Sequence, residues 1–309
     1  MTKTLITLAG GLCLLLSASM APAQTAEVAK LLKEAATEVS YLSFDIALPI
    51  FGDAQRLATE GSEPWQAAVF GRAICLQQIA PVTPDRISQS VALYSSLIAR
   101  FPQGKYTPQS MMALGRIEEL VDFLGDQPNR EKAREWYEKA RAASPKDSPL
   151  THEATLRIAA THVQSYEPAQ CLQAMTILED WLKQYPNNPL ASAMWQYCGE
   201  TWFWPIGDEK KAVSCYLKAD ALGLLEEGRE GPTYWRMAVL AERNGLRETA
   251  VAYYTKVITK TPTSGKAFES QLALKRMGAP VPPIELFEKR RSPATTQPAA
   301  PAEHVEMRS

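Results

Sequence analysis

The sequence is short of nearly everything a catalyst needs. Its 309 residues hold three histidines: His152, His162 and His304. His304 lies in a proline-rich tail. His152 and His162 are ten positions apart, so on an ideal helix they project roughly 80° apart. They are expected to face solvent or cap helix ends, not to pair as the i, i+4 ligands of a helical zinc site. No G-x-S-x-G, phosphate-binding glycine loop or H-E-x-x-H occurs. Adjacent carboxylates such as Glu118-Glu119 and Glu226-Glu227 fall on different helical faces and read as solvated surface. No catalytic residue, cofactor or metal site is expected, and the reading is that of a non-enzymatic protein.

Charge of one sign is also missing. Lysine and arginine number 33 against 34 aspartate and glutamate. That balance argues against a nucleic-acid partner, which leaves a basic footprint, and against an electrostatic membrane-surface role. No sustained alternation bounded by hairpin turns suggests strands. After the first 17 residues no apolar run approaches the roughly 20 residues of a spanning helix. No paired C-x-x-C suggests zinc.

What is present begins with the leader. Lys3 is followed by an apolar stretch, Leu5 to Ser17, and by the small residues Ala21-Pro22-Ala23. This reads as a secretory signal peptide over 1–23, with Gln24 as the new N-terminus. Leu12 before Cys13 argues against lipid attachment, which wants a small residue there. Localisation is therefore expected to be periplasmic or secreted. Removing residues 1–23 leaves Cys75, Cys171, Cys198 and Cys215. In an oxidising compartment these allow three connectivities, among them a Cys198–Cys215 bridge. Buried free thiols packing as small hydrophobes are the preferred reading.

The body of the chain is a repeat. Ala133, Tyr137, Ala140 and Pro145 recur as Ala212, Tyr216, Ala219, with Leu224 in the proline slot, and as Ala250, Tyr254, Val257, Pro262. Looser copies are Ser90, Tyr94, Leu97, Pro102 and Ala174, Leu178, Trp181, Pro186; Ala47, Phe51, Ala54 is a worn first copy. The i, i+4, i+7 spacing puts each set on one helical face, and the proline marks the stop. Upstream lie bulky–small pairs: Phe70-Gly71, Leu114-Gly115, Ile158-Ala159, Cys198-Gly199 and Met237-Ala238. The unit is a helix with a small notch, a turn, and a helix with an aromatic knob.

This unit resembles the tetratricopeptide repeat family. Tyr234, Met237, Ala238, Ala250, Tyr254, Val257 and Pro262 match its pattern in register, and Trp195, Cys198, Gly199, Trp202, Ala212, Tyr216 and Ala219 form a second match. The knobs Phe51, Tyr94, Tyr137, Leu178, Tyr216 and Tyr254 are 43, 43, 41, 38 and 38 residues apart, longer than the family's roughly 34. The excess falls in the turns, where closure entropy grows slowly with length. The stretch from Tyr94 to Gly115 looks most like the envelope branch of the family, which includes outer-membrane assembly and Tol–Pal-associated periplasmic proteins. The resemblance implies an all-α, right-handed α-α superhelical solenoid over 24–278. Beyond Gly278 prolines mix with Ala, Thr and Gln, a composition that reads as a Pro/Ala-rich disordered tail over 279–309. Within the tail, Pro283 to Arg291 reads as a plain tail or as a short docking motif.

The resemblance also implies a protein or peptide partner on the concave face, lined by the first helix of each repeat. Carried onto this chain, that face includes Met112, Arg116, Gln196, Glu200, Trp235, Val239 and Arg243. In the aromatic cluster, Trp195 and Trp202 sit at core positions, whereas Phe203 and Trp204 either pack on the next repeat or line a groove. Trp204 is thus a further partner-binding candidate. The leading expectation is an exported scaffold binding a protein in the bacterial cell envelope. The alternatives are a peptidoglycan- or carbohydrate-associated module using the Trp-rich stretch, and a self-assembling adaptor stacking through its terminal helices.

Overall fold

The computed structural model describes residues 22–224 and 230–285. The described residues form an all-α helical repeat of thirteen α-helices with no strand. Most of the leader, Glu226-Glu227, His304 and the tail from 286 onward lie outside them. The helices are α1 (Pro22–Ser40), α2 (Phe44–Leu57), α3 (Glu63–Gln78), α4 (Pro84–Arg100), α5 (Thr107–Glu119), α6 (Arg130–Ala143), α7 (Pro149–Val163), α8 (Pro168–Gln184), α9 (Ala191–Thr201), α10 (Glu209–Leu222), α11 (Gly231–Arg243), α12 (Arg247–Lys260) and α13 (Ala267–Arg276).

Local chemistry explains the boundaries. Ser62, Thr83, Asn129, Ser148 and Asp208 each accept a hydrogen bond from the backbone N–H three residues on, capping α3, α4, α6, α7 and α10. Such caps contribute about 1 kcal/mol each. Proline opens the first turn of α3, α4, α5, α7 and α11, where its missing N–H costs nothing. Pro81 lies in the turn before α4, and Pro84 is that helix's first residue.

The chain divides into two compact units, with the boundary after Ile177, inside α8. In the first unit, neighbouring helices in sequence pack in pairs: α1 with α2, α3 with α4, α5 with α6. Tyr137 of α6 is fully buried, and its ring lies so close to Gly115 of α5 that a Cβ there would sit 2.4 Å away. No alanine fits without displacing the ring. Tyr94 of α4 is equally buried, but its notch is not Gly71. It shares a core cluster with Ala73, and Ser90, one turn before it, donates to the Ala73 carbonyl at 2.8 Å. Gly71 instead accommodates Phe51 of α2, whose ring would be 2.4 Å from a Cβ. The expected Gly71–Tyr94 pairing is corrected accordingly: α3 presents two small residues to two different helices.

The second unit repeats the device. Tyr216 of α10 packs against Gly199 of α9 at 2.9 Å from a would-be Cβ, and Tyr254 of α12 is buried beside α11. All four described cysteines are buried free thiols. Burial pushes Cys75 and Cys215 up to about 11, and Cys198 moves in the same direction. Deprotonated, reactive thiolates are thereby suppressed.

Two histidine and carboxylate expectations need correcting. His152 is 8% exposed, inside the packed face of α7. Glu119 is 3% exposed, the reverse of a solvated surface residue. It accepts from the Tyr137 hydroxyl at 2.6 Å and from Gln164 Nε2 at 2.7 Å, and Arg157 stands 3.5 Å away. A buried carboxylate is tolerable only with such a set of donors. His162 is half-buried, with Nδ1 2.5 Å from Gln170 Oε1.

Candidate functional site

Knob hydroxyls and notches build a recurring polar link. Tyr94 donates to Gln77 at 3.4 Å, Tyr137 to Glu119 at 2.6 Å and Tyr254 to Glu242 at 2.7 Å. Each acceptor lies one helical turn beyond a small residue of its own helix: Ala73, Gly115 and Ala238. Tyr216 departs from the rule. Position 203, one turn after Gly199, is Phe, and the Tyr216 hydroxyl meets Arg236 Nη1 of α11 at 3.3 Å instead. Arg236 also donates to Glu200 of α9 at 3.4 Å.

In the second unit this link borders a groove of about 620 Å³ between α11 and α13. Trp235, Val239 and Arg243 line one side, Leu272 and Arg276 the other, and Tyr254 and Glu242 also contribute. The three residues nominated on α11 therefore converge on one cavity. Their spacing of four places them one turn apart on one face. Arg276 makes a two-point contact with Glu242, at 2.6 and 2.9 Å. Burial pushes the Glu242 carboxyl up, but the hydrogen bonds from Arg276 and Tyr254 outweigh it and hold it below the usual carboxylate range. Burial first, then donation to Glu242, pushes the Tyr254 hydroxyl well above its ordinary value, so the phenol stays protonated. Arg243 pairs with Glu209 of α10 at 2.7 Å. Lys266 pairs with Glu269 at 2.8 Å and sits 4.3 Å from the Trp235 ring centre.

The other nominated residues lie elsewhere. Met112 is 5% exposed and belongs to the core beneath α6, so it offers little surface. Arg116 is exposed on α5 in the first unit. Gln196 and Glu200 are half-buried on α9, outside the groove. Trp204 is 75% exposed. It stands on a π-helical turn, Trp202–Ile206, that joins α9 towards α10, with the Phe203 ring 6.3 Å away. It does not pack into the next repeat. Trp202 is core, as expected, whereas Trp195 is half-buried. The two line a second, smaller cavity of about 350 Å³, with Lys211 4.0 Å from the Trp202 ring centre and Lys218 3.9 Å from that of Trp195.

Leu272 and Arg276 are groove residues that the repeat pattern does not mark, because its last copy ends at Pro262. The signal was there: Phe268 and Leu272, four apart and outside the core stripe, are both well exposed. Among the described residues no group of three histidine, cysteine or acidic side chains is placed to hold a metal.

A tetratricopeptide repeat family model matches residues 233–264, which cover most of α11, all of α12 and the turn after it. That match and the repeated helix pairs together support the tetratricopeptide repeat family. No curated protein matches the chain. The repeat points to a protein–protein interaction scaffold, and no described helix is long and apolar enough to cross a membrane.

Proposed function

We propose that the protein is an exported, non-enzymatic scaffold that binds an extended segment of a protein partner in the bacterial cell envelope. The observation that carries the binding reading is the convergence of Trp235, Val239 and Arg243 on the 620 Å³ groove. A concave, partly apolar site with a few fixed polar groups suits a peptide, and a tryptophan and an arginine are the side chains most often found as binding anchors. Export rests on the leader at 1–23 and the free cysteines do not oppose it. The domain limits proposed with it are a cleaved leader to residue 23, a helical body to 278 and a tail beyond.

The test is crosslinking of the tagged protein in its native envelope, followed by mass spectrometry of what is captured, with Trp235→Ala/Arg243→Ala in parallel. A discrete protein lost in the double variant is the expected result. Capture of the chain itself alone, or of wall fragments, unchanged in the variant, would overturn the reading. Trp204 favours a second reading specifically. A largely exposed indole on a π-helical turn, a feature frequent at functional sites, suits a sugar-stacking platform, and loss of wall association in Trp204→Ala would mark it.

A further inference from the structure

The groove has an unusual charge economy. Four charged side chains line it, and each already has a partner of opposite sign: Glu242 with Arg276, Arg243 with Glu209, and Glu269 with Lys266. Three cations are matched by three carboxylates. The surfaces left over are apolar: the Trp235 face not covered by Lys266, Val239, and the half-exposed Leu272. An acidic segment entering here meets guanidinium groups whose charge is already offset by a carboxylate at hydrogen-bond distance, and gains little net attraction for the hydration it gives up. A basic segment meets carboxylates that are equally engaged. An uncharged segment with a large apolar side chain loses nothing of that kind and covers the leftover surface.

Resting on the groove reading above, we infer that the α11–α13 groove takes an uncharged, apolar segment, and that Glu209, which does not line it, sets this preference by neutralising Arg243. Glu209 suits that role. It is the first residue of α10, where the helix end favours a carboxylate. One oxygen holds Arg243 at 2.7 Å while the other accepts from Asn244 Nδ2 at 3.2 Å. The carboxylate is thus fixed from two sides, and Arg243, in the last turn of α11, is held by a group outside the site. Replacing Glu209 changes no lining residue and leaves Arg243 without its carboxylate partner.

The experiment uses the full chain and three labelled peptides of equal length with identical leucine spacing. Their remaining residues are glutamine and serine, glutamate and serine, or lysine and serine. Fluorescence anisotropy titrations of wild type should give the glutamine peptide an affinity about tenfold above either charged one, unchanged between low and high salt. Glu209→Gln, checked for intact helicity by circular dichroism, should raise the affinity of the glutamate peptide about tenfold and leave the glutamine peptide as it was. Tightest binding of wild type by a charged peptide, or an unchanged order in Glu209→Gln, would overturn the inference while leaving the groove reading intact. Failure of all three peptides to bind, or binding indifferent to Trp235→Ala, would remove the groove reading itself and the inference with it.

Discussion

The two units contain the same three-part link in two settings. In the first, Tyr137, Glu119 and Arg157 meet with the carboxylate all but sealed from solvent. In the second, Tyr254, Glu242 and Arg276 meet at a groove, with Arg276 two-thirds exposed. A phenol, a carboxylate and a guanidinium can therefore act as a staple or as the lining of a binding site, and solvent access decides which. Where water is excluded, each lost bond leaves a buried charge short of a partner. Where water enters, it replaces what is removed.

Three perturbations test that contrast. The largest is alkali. Burial pushes the hydroxyls of Tyr94, Tyr137, Tyr253 and Tyr254 well above the ordinary phenol value. A folded-state pKa raised above the unfolded one gives stability that is complete below the unfolded value and is lost as pH rises beyond it. Stability measured by denaturant titration should therefore fall steadily above about pH 10, and a flat profile there would contradict the buried knobs.

Next comes deletion of one hydroxyl in each setting. Tyr137→Phe should cost about 2 kcal/mol, because Glu119 stays buried and loses a donor, whereas Tyr254→Phe should cost about 1 kcal/mol, since Glu242 keeps Arg276 and water. Equal losses in chemical denaturation would mean that burial does not separate the two sites. The smallest effect is that of Arg276→Ala, whose loss should be below that of Tyr254→Phe and vanish in high salt, as screening of an exposed pair requires. A salt-insensitive loss would place Arg276 among the buried staples instead.

Much of this architecture can be read from residues alone, because it rests on spacing within single helices. Gly115 with Tyr137 and Gly199 with Tyr216 are recoverable in this way, since a small residue beside a bulky one, followed by an aromatic in the next helix, is a local signature. Gly71 misleads for the same reason. Alanine can form a notch as well as glycine, and the shift from position 71 to 73 changes which helix the small face meets. Glu119 misleads because adjacency to Glu118 describes faces, not depth. The groove was half legible. Trp235, Val239 and Arg243 follow from helical phase, but Glu209, Leu272 and Arg276 reach them across turns whose lengths vary from repeat to repeat, and no fixed offset encodes such a meeting.

Among the described residues α13 packs chiefly against α12 and reaches α11 through the Arg276–Glu242 pair, while α11 lies against both α10 and α12. A wall with one principal neighbour has the lower free energy of local opening. Amide protons of α13 should therefore exchange with solvent ahead of those in α11, and occupation of the groove should slow that exchange most on the α13 side, so that the molecule reports its ligand through the protection of its last helix.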